Sequence, residues 1–155
     1  MAYDEEKKIE AAVIFEILGR PPEHLTDSLS KIISELNNEK GIKVKESKIH
    51  EPTEVKENKE LFTTFADLIV EVDNLEWIVV LMFKYMPAHI EIISPEKITL
   101  GNNTWNEFLN ELARRLHRYD EVARVLQAEK TILENKVKSL TGTSDEASEE
   151  DNSEA

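Results

Sequence analysis

The strongest constraint on this chain is an apolar repeat near its C-terminal end. From Thr104 onward, Trp105, Leu109, Leu112, Leu116, Tyr119, Ala123, Leu126, Leu133, Val137 and Leu140 recur in alternating steps of four and three. One interruption occurs, at Lys130. Steps of this kind put every apolar residue on one stripe of a helix and define a heptad seam. Leu109, Leu116, Ala123, Lys130 and Val137 take the a positions. Trp105, Leu112, Tyr119, Leu126, Leu133 and Leu140 take the d positions. At 1.5 Å per residue the helix from Thr104 to Leu140 is about 55 Å long. The rest of the chain, folded compactly, is about 30 to 35 Å across. The far half of the stripe therefore needs a cover from another molecule unless the helix folds back.

Trp105, Phe108, Leu109 and Leu112 are expected to lie against the chain's own sheet, and Leu126 to Leu140 to pack between molecules. The oligomerisation residues are accordingly Leu116, Tyr119, Ala123, Leu126, Lys130, Leu133, Val137 and Leu140, with a homodimer as the expected product. A Lys at one a position fixes register at a cost in stability. In a parallel pair Arg115 meets Asp120, which attracts, and Glu129 meets Glu134, which repels. The direction of pairing stays open on these two contacts, as does a different protein as partner.

Ahead of the helix the periodicity changes. Ile9, Ala11, Val13, Phe15 and Ile17 alternate, which predicts a strand with one buried face. Gly19-Arg20-Pro21-Pro22 ends it, and Pro22 suits the first turn of a helix. Leu25, Leu29, Ile32, Ile33 and Leu36 then recur at helical spacing, and Asn37, Asn38 and Gly41 supply the stop. A second strand starts at Ile42 and runs toward Ile49. Residues 52–60 are charged and lack an apolar period except for Val55, which predicts a hairpin loop. Phe62, Thr64, Ala66, Leu68, Val70 and Val72 share one face of a long third strand, with Phe65 and Ile69 on the other. Asp73 with Glu76 forms a capping-box pattern before the stripe Leu75, Ile78, Val79, Met82 and Met86, and Pro87 ends that helix. Ala88, Ile90 and Ile92 alternate in a fourth strand. Residues 98–100 form a short fifth strand or an extended link. Thr104 with Glu107 makes a second capping box.

The order β-α-β-β-α-β predicts an α+β fold. Two right-handed crossovers joined this way give a four-stranded antiparallel sheet with both helices on one face, a ferredoxin-like sandwich. The expected organisation is a ferredoxin-like domain over 1–101, a long coiled-coil-type helix over 102–141, and a disordered acidic tail over 142–155. The tail carries six acidic residues and no basic one.

Composition then removes function classes. The chain has 19 Lys and Arg against 32 Asp and Glu, a net charge of −13. That opposes binding to DNA or to an anionic membrane, both of which favour a basic surface. Cys is absent, which removes disulfides, thiolate nucleophiles and Cys metal sites. Four Gly are too few for a glycine-rich phosphate loop. The N-terminus has no apolar signal segment, and the longest apolar run, Trp77 to Phe83, falls far short of the roughly 20 residues a bilayer requires. A cytoplasmic location is expected.

No catalytic constellation stands out, so no enzymatic activity, cofactor or metal is expected. His24, His50, His89 and His117 fall on different elements. His89 and Glu91 share a strand face, two ligands short of a metal site. Arg114, Arg115, Arg118 and Arg124 form the one dense basic patch, suited to an anionic partner such as a ribosomal or other translation component. The same residues also sit at helical spacing from Glu111, Asp120 and Glu121, which would pair with them along a solvated face. Phe62 and Phe65 lack the basic, Gly-rich surroundings of an RNA-stacking sheet.

Two resemblances complete the reading. The turn Gly19-Arg20-Pro21-Pro22-Glu23-His24-Leu25 looks slightly like the ligand loop of ACT-type regulatory domains, although it lacks the usual Asp and the Gly after Pro. That resemblance implies an amino-acid-sensing alternative using Gly19, Arg20 and His24. The stretch Tyr85 to Glu96, followed by a capped helix containing Leu116-His117, Tyr119, Asp120 and Glu121, resembles small uncharacterised archaeal proteins with an α+β part and a terminal helix. It implies an archaeal, cytoplasmic setting and no particular activity.

Overall fold

The computed structural model describes residues 7–142. Its order is β1 (Ile9–Gly19), α1 (Pro22–Asn37), β2 (Ile42–Ile49), β3 (Thr53–Val55), β4 (Asn58–Val72), α2 (Leu75–Val80), a π-helical turn (Leu81–Tyr85), β5 (His89–Ser94) and α3 (Asn102–Thr141). These residues form two compact units that divide between Leu109 and Asn110.

Within the first unit, the strands make one antiparallel sheet in the order β2-β4-β1-β5, with β3 paired to β4. The fold is α+β, as the sequence predicts. β1 and β4 run side by side from Ile9 opposite Val72 to Gly19 opposite Phe62. Their alternation is real: Ile9, Ala11, Val13 and Phe15 are buried, as are Ala66, Leu68, Val70 and Val72. Leu29 and Leu36 of α1 and Ile78 of α2 join the same cluster, with Leu81 beside them. Both crossover helices therefore cover one sheet face and leave the other open. Pro22 stands in the first turn of α1, with Glu23 beside it where the helix dipole favours a negative charge. The one buried polar side chain among the described residues, Thr64, donates from Oγ1 to the His50 carbonyl at 2.6 Å.

Several local expectations are corrected. The hairpin expected over residues 52–60 is present, but most of it is strand rather than loop: β3 and the start of β4 pair, with Val55 opposite Asn58. Backbone pairing needs no apolar side chain at a solvated edge, so periodicity could not reveal it. α2 is capped by Asn74, whose Oδ1 accepts from Trp77 N at 3.3 Å, and not by Asp73, whose own N–H donates to the Gly41 carbonyl at 3.0 Å. The α2 stripe continues through the π-helical turn and stops at Met86, which has a left-handed φ of 51° before Pro87. Of the two alternatives for residues 98–100, the link rather than the strand is observed, and Ile98 packs on the core. α3 starts two residues before Thr104, with Trp105 N donating to the Gly101 carbonyl at 3.0 Å.

β2 contains a bulge. Val44 faces Val70, but Glu46 faces Ile69, so Lys45 is the extra residue. The slip changes which residues point inward, from Ile42 and Val44 before it to Ile49 after it. The turn that follows α1 and the π-helical turn are also joined by polar contacts. Glu39 Oε1 accepts from the Tyr85 hydroxyl at 2.6 Å and pairs with Lys84. Lys84's hydrogen bond first, and Tyr85's second, hold the Glu39 carboxyl below its ordinary pKa. Burial and the bond to Glu39 raise that of Tyr85.

Candidate functional site

Helix α3 has 40 residues, and none of them is buried. Helix propensity is supported along its length by ion pairs one turn apart. Glu111 binds Arg114 and Arg115, Asp120 binds Arg124 at 3.0 Å, and His117 lies 3.2 Å from Glu121. Arg115's hydrogen bond, with Arg114's charge nearby, keeps the Glu111 carboxyl below its ordinary pKa. These are the intrahelical pairs that the spacing of the basic patch allows. Three of its four arginines are thus engaged along the helix, and Arg118 is exposed.

The predicted seam lies open. Leu116, Leu126, Leu133 and Val137 are 57–60 % exposed, and Leu140 is 85 % exposed. Tyr119, Ala123 and Lys130 are exposed between them. In the first unit, Trp105 and Leu109 are also exposed, at 42 % and 54 %, which corrects the expectation that they pack on the sheet. Phe108 is half-buried and meets Trp105 edge to face, with centroids 5.9 Å apart. Val122, Val125 and Ile132 are exposed apolar residues that heptad counting passes over. Val122 is a g position and the other two are c positions, adjoining the seam on one side. Their apolar type at g and c positions, outside the a and d seam, is the sequence signal that marks them.

The open sheet face of the first unit is a second surface. A shallow depression of about 400 Å³ has Ala12, Ile14 and Ile69 as its apolar floor. Charged residues of β2, β4 and β5 surround it. The His50 ring stacks on Phe65 with centroids 4.1 Å apart, and His50 Nε2 lies 2.6 Å from Asp67 Oδ2. His89 and Glu91, a pair visible in sequence, are 3.8 Å apart on β5. The His50–Asp67 pair was missed, since strand register decides it. At one end Lys45 bridges Glu10 at 2.8 Å and Glu71 at 3.2 Å. Those two carboxylates raise the Lys45 pKa, and Lys45 in turn lowers that of Glu71. Such exposed, internally neutralised charge has little left for a ligand.

Arg20 pairs with Glu60 at 3.0 Å, and His24 is exposed with its N–H on the Pro21 carbonyl. Among the described residues, no group of three or more His, Asp or Glu side chains could hold a metal, and no helix is long and apolar enough to cross a membrane. The acidic tail lies outside the described residues, apart from Gly142.

The sequence matches the MJ0538 family over residues 10–151. No curated protein and no solved structure matches it.

Proposed function

The chain belongs to the MJ0538 family, and on that footing we propose that it is a non-enzymatic assembly or adaptor protein, cytoplasmic and archaeal, that self-associates or docks a protein partner through α3. One observation carries this reading. The a and d side chains from Leu116 to Leu140 form a continuous ridge with no residue buried. Covering one leucine is worth about 1.5–3 kcal/mol, and the apolar anchors on both sides of Lys130 together can offset the cost of association. The finer architectural reading is a ferredoxin-like sandwich. Support comes from the two crossovers, β1-α1-β2 and β4-α2-β5, each of which spans one intervening strand. The ligand-sensing and ribosome-associated alternatives draw on no comparable observation.

Sedimentation tests the proposal. The double substitution Leu126→Asp and Leu133→Asp should convert a dimeric or partner-bound species to a monomer. An unchanged mass would overturn the reading. Because neither residue is buried, the sheet unit should keep its far-ultraviolet spectrum and thermal transition.

A further inference from the structure

We propose that the partner of α3 is a second copy of α3 running antiparallel, with Leu116 opposite the second copy's Leu126. The inference rests on the self-association reading above and adds direction and register to it.

Lys130 decides the direction. In a parallel, in-register pair an a residue meets its own counterpart, so two Lys130 ammonium groups would share one layer of the seam. Glu129 would also face Glu134 at the flank. In an antiparallel pair each a residue meets a d residue. Lys130 then faces the second copy's Leu112, its aliphatic stem lies on the leucine, and the ammonium reaches solvent at the edge. The helix dipoles also oppose in this arrangement and attract rather than repel.

Side-chain size supports the register. With Leu116 opposite Leu126, Leu109 faces Leu133, Ala123 faces Tyr119 and Val137 faces Trp105, each from the other copy. The smallest seam residue is set against a large aromatic one, and the β-branched one against the indole. Layers that alternate large and small interdigitate without voids. The two-fold axis passes near Glu121 and Val122, the midpoint of Asn102–Thr141, so the helices overlap over their whole length. Val122, exposed in the single chain, meets Val122 of the second copy across that axis.

Flanking charge selects the same register. Antiparallel helices bring g residues together, and Arg115 meets the second copy's Glu129 twice over. A slip of one heptad toward the C-terminal ends would place Arg115 against Lys136, and a slip the other way would place it against Val122. Two contacts oppose the arrangement: Leu140 meets Asn102 at the ends of the seam, and Asp120 meets Asp120 near the axis. Each Asp120 is bound within its own helix to Arg124 at 3.0 Å, which offsets the repulsion between them. Exposed pairs contribute little to affinity, so the flanks act mainly by selecting among alternatives.

The absence of native Cys makes disulfide trapping specific. Leu116→Cys and Leu126→Cys are made in full-length chains of different tagged mass, and each is oxidised alone and as a mixture. Cross-linking in the mixture only, giving a product of mixed mass, is the expected result. Ala123→Cys with Tyr119→Cys, a gentler pair, should behave the same way. Self-linking of each variant alone would establish parallel pairing and overturn the proposal, and a dimer that links in neither case would overturn the register. Sedimentation of the unmodified chain separates the two levels. A single-chain mass at high concentration removes self-association itself, whereas a dimeric mass with the wrong cross-links removes only the antiparallel geometry.

Discussion

The indole of Trp77 occupies the space where a side-chain carbon on Gly41 would stand. Gly41 is buried at the entrance to β2, and its carbonyl accepts from Asp73 N at the start of the turn into α2. The contact therefore joins the beginning of one edge strand to the second crossover helix. Gly41→Ala should force the indole aside and lower stability by about 1–3 kcal/mol, the usual cost of overpacking. Urea unfolding measures it. In a Trp77→Leu background the same change should cost less, because the obstructing ring is gone.

Thr64 donates the hydroxyl bond that holds the His50 carbonyl at the end of β2. Thr64→Val keeps the shape and removes the donor. The loss should be about 1–3 kcal/mol, and hydrogen exchange near His50 should quicken. Unchanged exchange would show that the bond does not anchor the strand end.

Leu29 and Leu126 are the same residue type in opposite settings. Leu29 is fully buried in the α1–sheet core, whereas Leu126 is 58 % exposed. Leu29→Ala should cost about 2–5 kcal/mol of unfolding free energy at any protein concentration. Leu126→Ala should leave the unfolding of the sheet unit unchanged and weaken association by tenfold or more, since about 1.4 kcal/mol is a factor of ten. Concentration-dependent sedimentation separates the two effects.

Glu39 gives an acid-side signature. Lys84 and Tyr85 lower its pKa in the folded state, so the folded protein holds this proton less tightly than the unfolded chain. The contribution to stability is complete above the ordinary carboxylate range. It is lost as pH falls through the lowered folded value. Glu39→Gln should therefore be less stable than the parent at neutral pH, with the difference closing in strong acid. Denaturant midpoints across that range test it, and a difference independent of pH would contradict the linkage.

Particular residues show why some of the structure was legible in sequence and some was not. β1 and β4 could be read because each has one face against the helices, and strict alternation of Ile9, Ala11, Val13 and Phe15 is the direct imprint of that burial. The stripe of α1 was legible for the same reason at helical period. β2 was only partly legible, since the bulge at Lys45 changes the parity of its inward residues and makes Ile42 and Ile49 look unrelated. The strand pairing in the β3 hairpin left Val55 as its one apolar mark, too little for a period. At the start of α2, Asp73 and Asn74 are both competent caps, and backbone geometry chose Asn74 while committing the Asp73 N–H to Gly41.

By itself, then, the sequence determined the periodicities: which faces of the long strands and of α1 avoid water, and that α3 carries an apolar seam broken at Lys130. Those follow from local spacing, which is fixed once the residues are written. Only the tertiary structure decided which strands are neighbours, where the ladder slips, that His50 stacks on Phe65 beside Asp67, and that Trp77 fills the space over Gly41. These join residues far apart in the chain, and their geometry depends on register and close packing, which no local period encodes.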